Sequence, residues 1–409
     1  MNNPRVVKSS DEKESLIYNP KIRSIFFQVL ALVIVFGGLI LLRHNTLVNL
    51  EDRGKSLGFH FLGETSGFSI LPTFGTWVVG YEVGSSTYVD VFIIGILNTI
   101  AVGFFGIIAA TLVGFTIGIF RLSNNFILKS FAATFVEIFR NIPLLLWLFI
   151  IYFAVLRNLP AKREALFFAE NIGINITGLY APAPQPLGGF LYVIIALIVG
   201  IVGCLLIMNW STKRFLTTGK KFPGGWLGLS ILIFFPVAAY YIFGQPLDWE
   251  NPIFKSDGPV FRRGFQTGMG MMVVPEMIAV WAALSLYTSA FIAEIVRSGI
   301  LAISYGQTEA SFALGLRPGI TLRLVIIPQA MRVIVPPLTS QYLNLIKNSS
   351  LAVAIAYPEL VSVFGGTALN QVGKEVEMIF MLMLVYLSFS IITSVFMNWF
   401  NSRIKLVER

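Results

Sequence analysis

Cysteine, histidine and charge are scarce in this sequence. Of its 409 residues one is cysteine (Cys204), two are histidine (His44 and His60), and 12% are Asp, Glu, Lys or Arg. A lone cysteine inside an apolar run excludes an intrachain disulfide. Two histidines so isolated supply neither a metal-ligand set nor a histidine-based catalytic constellation. No Gly-x-x-x-x-Gly-Lys-Ser/Thr run occurs, so the chain has no phosphate-binding P-loop of its own. These absences predict no metal, no cofactor and no stand-alone enzyme. What is abundant is hydrophobicity: 56% of the residues are apolar, with a mean hydropathy of +0.77. No soluble core hides that much apolar surface, so the expected fold is an all-α, polytopic membrane helix bundle. The net charge of +9 is read through its placement along the chain and not as a nucleic-acid signal.

Residues 1–23 are polar and basic, and no convincing cleavage site follows the first apolar run, so that run is expected to stay as an anchor. About eight spans are predicted, near 24–42, 91–120, 144–155, 188–208, 225–243, 271–296, 330–346 and 378–400. Most approach the roughly twenty residues that a bilayer core requires. Ala181-Pro182-Ala183-Pro184-Gln185-Pro186 cannot be regular helix. The Met269, Met271, Met272 and Met277 cluster reads as apolar filler. Of the 30 Lys and Arg residues, 19 fall on the side that holds both termini and the 297–332 loop. That excess predicts cytoplasmic termini.

One stretch inside that loop is polar on one face. Residues 306–315 suggest a short helix whose Ala310, Ala313 and Leu314 are buried while Gln307, Glu309 and Ser311 face elsewhere. Gly315 suits a helix C-terminus with φ > 0, and Arg317-Pro318-Gly319 prevents continuation. A polar-faced helix between two spans has to dock on something outside the bilayer. The spacing of Glu309, Ala310, Gly315, Val325, Ile327 and Pro328 resembles the EAA loop of binding-protein-dependent ABC importer permeases, with Ser311 in place of the second alanine. The resemblance implies the transmembrane domain of an ABC type I importer. Its coupling helix would engage a separate ATPase through Gly306, Gln307, Glu309, Ala310, Gly315 and Pro328.

Other runs are similar to the polar amino-acid (histidine/glutamine-type) branch of that family. They are Arg140, Pro143, Leu144 and Leu145, preceded by Glu137; the Ser289–Ile300 run, written 289–300; and Lys347-Asn348-Ser349-Ser350-Leu351 with Ile355 and Glu359-Leu360, expected at an outer gate. Within 289–300, Glu294 and Arg297 stand i, i+3 and read as a structural ion pair at the gate of the bundle. Pro336 and Pro337 loosen the seventh span. Beyond them Ser340, Gln341 and Asn344 either line a substrate pathway or make interhelical hydrogen bonds. Asn98 and Thr99 are expected to be packing groups.

The resemblance covers about 90–157 and 270–400, with the coupling loop at 304–328. Residues 24–89 are expected to form an extra N-terminal span and periplasmic loop, 158–269 an insert with two extra spans, and 401–409 a second cytoplasmic tail. This larger build is similar to general L-amino-acid (Aap/Bzt-type) permeases. It implies a multi-pass permease subunit in the bacterial inner membrane that imports L-amino acids. The implied partners are ABC ATPase subunits, a second permease subunit in a heterodimer, a periplasmic solute-binding protein and membrane lipid, with no nucleic acid. An ion-gradient-driven secondary amino-acid transporter is the alternative.

Overall fold

The computed structural model describes residues 20–404, apart from 53, 55–56, 221, 258, 260–262 and 267. The expected tails at 1–23 and 401–409 lie mostly outside the described residues. The chain divides into two units: residues up to Phe61 together with Lys374–Glu377, and Leu62–Gly373 together with Met378–Arg409. In the first, α1 (Pro20–Asp52) is a single long helix, and the backbone N–H of Gly58 donates to the Glu377 carboxylate at 2.7 Å.

The second unit opens with α2 (Phe74–Val79) and α3 (Tyr88–Arg121). A capping box starts each: Thr73 N–H donates to Thr76 Oγ1 and Thr87 N–H to Asp90 Oδ2, both at 2.7 Å, filling donors that a helix start leaves open. Asn125 caps α4 (Phe126–Asn141) by accepting from Ile127 N–H and Leu128 N–H. Pro143 then forces Ile142 out of the helical region, and it is extended, with φ −102° and ψ 130°. The chain restarts as α5 (Leu144–Phe149), a π-helical stretch Ile150–Val155 and a 3-10 turn, bent by 105° from α4. Phe139 and Trp147 stack across the bend at 4.3 Å.

Four short strands follow, β1 (Leu166–Ala169), β2 (Ile172–Asn175), β3 (Gly178–Ala181) and β4 (Ala183–Pro186). Next come the helices α6 (Phe190–Thr218) and α7 (Gly224–Ile242), and then β5 (Leu247–Glu250), β6 (Phe254–Lys255), β7 (Gly264–Phe265) and β8 (Met271–Val273). The strands form an antiparallel sheet in the order β1-β2-β3-β8 and the pairs β4-β5 and β6-β7. The sixth predicted span therefore starts later than expected, because Met271–Val273 pairs with β3 as a strand. Pro275 opens α8 (Pro275–Leu301) at a position where its missing N–H costs nothing.

The remaining elements are α9 (Tyr305–Ala313), α10 (Pro318–Thr321), a π-helical stretch Leu322–Ile326 and α11 (Ile327–Asn348). A 3-10 segment Ser349–Ile355, a π-helical stretch Val361–Ala368, α12 (Leu369–Val372) and α13 (Glu375–Ile404), whose first residues belong to the first unit, complete the described elements. Among the described residues seven helices are long and apolar enough to cross a membrane, or eight with the bent α4–α5 pair counted as one.

The core is built on α3 against α8. Gly114 and Gly118, four residues apart, let the two backbones approach closely. A Cβ on Gly114 would lie 2.6 Å from Cβ of Ile292, and one on Gly118 would lie 2.8 Å from Cβ of Val296. Leu338 and Leu345 of α11 and Leu144 and Leu148 of α5 join the same buried cluster.

Candidate functional site

The loop after α8 forms a helix on which Gln307 and Glu309 face outward as expected, while Ser311 is buried and the apolar residues are not. Ser311 is the buried residue of α9; its Oγ donates back to the Gln307 carbonyl at 2.7 Å. Ala310, Ala313 and Leu314 are exposed, together with Gly306, Gln307 and Glu309. Tyr305 is 73% and Leu314 81% exposed, and Phe312 is exposed beside them. The amphipathic pattern predicts that the apolar residues are buried. Here the small, self-bonded serine takes that place and the apolar groups are left outward.

The end of α9 is a Schellman turn. Leu316 N–H donates to the Ser311 carbonyl at 3.1 Å and Gly315 N–H to the Phe312 carbonyl at 2.9 Å, which satisfies carbonyls that a helix end leaves open. Gly315 has φ +77°, a conformation that costs an L-residue roughly 1–2 kcal/mol. Pro328 sits in the first turn of α11, directly after the π-helical stretch that contains Val325. Lacking an N–H, it contributes no hydrogen bond to that turn. Gln329 Nε2 donates to Gln307 Oε1 at 3.1 Å. A side-chain bond thus ties α9 to the start of α11, a link with no signature in the sequence.

At the same end of the bundle, Glu294 and Arg297 pair within α8, Arg297 Nη2 lying 2.6 Å from Glu294 Oε1. The pair is part of a larger cluster. Arg121, at the end of α3, also donates to the Glu294 carboxylate, and the Arg140 guanidinium lies 5.3 Å from the centre of the Phe291 ring. One carboxylate thus holds cations from two helices, and α4 reaches the same helix through Arg140 and Phe291.

On α11, Ser340 and Asn344 are exposed and Gln341 is half-buried. None of the three is among the side chains that hydrogen-bond elsewhere in the described chain. Exposed Ser340, Asn344 and Lys347 fall at i, i+4 and i+7, so they form one polar stripe along a helix whose other side is core. Lipid does not satisfy such groups.

The far end of the bundle is held by Asn98 and Thr99, expected only to pack. Asn98 is fully buried. It accepts from Gly75 N–H at 2.9 Å and donates to Thr73 Oγ1 at 2.9 Å and to the Pro358 carbonyl at 2.8 Å. Thr99 Oγ1 accepts from Leu360 N–H at 3.2 Å. Glu359, also fully buried, accepts from Val361 N–H, Ser362 N–H and Tyr386 O–H at 2.9, 2.7 and 3.0 Å. Its carboxylate caps the π-helical stretch. Among the described residues no group of three or more His, Cys, Asp or Glu is arranged to hold a metal ion.

Comparison with known proteins adds a family. Residues 104–406 match the family model described as binding-protein-dependent transport system inner membrane component. The chain is 44% identical over 395 residues to the general L-amino acid transport system permease protein AapQ of Rhizobium johnstonii, which covers 97% of this chain and 95% of that one. It is 39% identical over 425 residues to the glutamate/glutamine/aspartate/asparagine transport system permease protein BztB of Rhodobacter capsulatus, with 96% of each chain covered.

Proposed function

Because the chain belongs to the family of binding-protein-dependent transport system inner membrane components, we propose that it is a permease subunit of an ATP-driven importer of L-amino acids. Its near full-length similarity to AapQ and BztB supports the substrate class. A single observation carries the ATP-driven part: α9, a helix between two spans with Tyr305, Phe312 and Leu314 exposed. In a membrane protein an outward apolar side on a short interhelical segment is an interface. The EAA-type spacing of Glu309, Gly315 and Pro328 makes an ATPase subunit the partner. Glu309 and Gln307 supply the polar contacts and Gly315 fixes the helix end.

In this reading the termini and α9 face the cytoplasm, in line with the excess of Lys and Arg on that side. ATP binding closes the ATPase pair and carries α9 with it. The bond between Gln307 and Gln329 passes the movement to α11. The Arg121–Glu294–Arg297 cluster keeps α3 and α8 moving as one body, so the bundle shifts as rigid elements. The polar stripe of α11 then lines the passage between this chain and a second permease. There Ser340, Gln341 and Asn344 offer donors and acceptors to the ammonium and carboxylate of an amino acid. Asn98, Thr99 and Glu359 hold the end at which a periplasmic binding protein delivers substrate. The ion-gradient alternative is set aside: membership of the family favours ATP-driven transport, and the one fully buried acid of the far end caps a helix.

The test is uptake of labelled amino acids by proteoliposomes holding this chain with its neighbouring permease, ATPase and binding protein, wild type against Gly315→Asp. The expected result is uptake that requires ATP and binding protein. The variant should lose it while still assembling in the membrane. Wild-type uptake that persists without the ATPase and follows an imposed ion gradient overturns the reading.

A further inference from the structure

The sheet β1-β2-β3-β8 has a second face that the described residues do not bury. Directly paired residues of an antiparallel sheet point to the same side, and side chains alternate along each strand. Leu166 pairs with Ile174, Ile174 with Leu179, and Leu179 with Val273, while Ala169 pairs with Ile172 and Ala181 with Met271. These eight residues therefore share one face, an irregularity between Phe167 and Ala169 bringing Ala169 onto it, and every one is apolar. The opposite face carries Phe167, Asn175 and Tyr180. It is covered by the β6–β7 pair, where Phe265 stacks on Tyr180 at 4.0 Å and Phe254 meets Phe167 at 5.3 Å. Asn175 and Tyr180 are buried there, whereas no residue of the all-apolar face is buried. A sheet with one solvated face alternates apolar with polar, and this one does not.

Three coverings compete. Lipid is the first, but β1 is an edge strand whose outer N–H and C=O groups hydrocarbon would leave unpaired. A soluble binding protein is the second. It leaves after each delivery, and the face it vacated would return an all-apolar surface to water, with Leu166, Ala169 and Met271 exposed and the other five half-buried. Interfaces that open and close are also more polar than this, whereas permanent ones resemble a cut core. The third is a membrane subunit that never leaves. The α11 stripe of Ser340, Asn344 and Lys347 is a second surface that lipid does not satisfy. The strands connect directly to the core as well: one residue, Val274, separates β8 from α8.

We propose that the all-apolar face of the β1-β2-β3-β8 sheet is a permanent interface with the second permease subunit, formed outside the helix bundle by the segments flanking α6 and α7. This rests on the permease reading above and adds where the two permeases hold each other. The insert would then serve subunit pairing, with the partner presenting an apolar face or strand edge of its own.

The test uses the assembled transporter in nanodiscs, without ATP. A photoreactive phenylalanine analogue replaces Ile174 or, separately, Met271 on the free face, or Met272 on the covered face as a control. Irradiation is expected to join this chain to the partner permease from Ile174 and Met271 and not from Met272, with or without the binding protein. Adducts only with the binding protein, only with lipid or only within this chain overturn the proposal. So does the absence of a partner adduct at both positions; ready maleimide labelling of Ile174→Cys in a Cys204→Ser background would then identify the face as open. Because the adduct is scored without transport, its failure is separable from failure of the uptake experiment, which tests the permease reading itself.

Discussion

Two helix pairs in this molecule are equally fit to cross a membrane and are packed in opposite ways. In α3 and α8, 50% and 56% of the most apolar window is buried inside the chain; in α6 and α7 the figures are 6% and 11%. Hydropathy does not explain the difference, since α6 is the most apolar of the four. Which helices the close approaches join does. Along α3, Gly114 and Gly118 sit against the backbone and branched side chains of α8, and Gly106 sits against Leu345 of α11. The glycines of α6 and α7 face only the other helix of the same hairpin: Gly200 meets Leu232, and Gly203 meets Ile231. In lipid, where apolar surface alone does not drive association, small residues that admit a neighbouring backbone decide which helices form the core. The hairpin is a pair held to itself, and α3–α8 is the pair on which α4, α5 and α11 are assembled.

The largest expected effect breaks the core pair. Gly114→Leu has to place side-chain atoms where Ile292 and the Ser289 carbonyl already stand, and neither helix can give without moving the buried cluster around it. Overpacking a filled core costs roughly 1–3 kcal/mol and more where backbone is in the way. The detergent-purified chain should melt several degrees lower or fail to accumulate in the membrane. If Gly114→Leu melts like wild type, the close α3–α8 contact is not what builds the core.

A second change keeps the helices and removes their far-end tie. Asn98→Ala leaves Gly75 N–H without its acceptor, and Thr73 and the Pro358 carbonyl without their donor, all at a fully buried position. Each buried polar group left unpaired costs about 1–3 kcal/mol. We expect a clear drop in melting temperature, together with faster proteolysis at 62–80, since α2 is anchored there. Asn98→Asp should lose as much, because a carboxylate cannot donate to Thr73 and the Pro358 carbonyl. Unchanged protection of α2 would show that the capping box holds it unaided.

These two sites also mark what can be read from the sequence. The spans were legible because twenty-residue apolar runs are local, and so was the break at Pro143, where the residue before proline is driven out of the helix. The 105° angle was not, since it depends on Phe139 stacking on Trp147. Strands of two to four residues rich in Gly and Pro give too little alternation to be seen, and the partners of β3 and β4, β8 and β5, lie across an intervening hairpin. Of the ion cluster, Glu294 and Arg297 announce themselves at i, i+3, but Arg121 is 173 positions away. The Gly114-x-x-x-Gly118 spacing was present and is the signal that would have identified the core pair. The sides of α9 were misassigned for a different reason. An amphipathic pattern reports that one face is apolar, and it does not say whether the covering comes from the same chain or from another.

The smallest expected effect sharpens the same comparison with matched chemistry. Gly203→Ala in α6 brings a Cβ to 3.2 Å from Cγ2 of Ile231, the end of a side chain on the partner helix. A small shift of that helix relieves the contact, because little of the hairpin's remaining surface is buried inside the chain. Replacing a mid-helix glycine by alanine also returns about 0.5–1 kcal/mol of backbone entropy. The two terms nearly cancel, so the melting temperature should stay within about a degree or two of wild type, given surface-like tolerance of roughly ±0.5 kcal/mol. Gly114→Ala, the same substitution made against Ile292 Cβ at 2.6 Å, should be the more destabilising of the two. Equal shifts would mean that α6–α7 is as tightly constrained as α3–α8 in the membrane, and that a partner the chain does not itself supply packs against the hairpin.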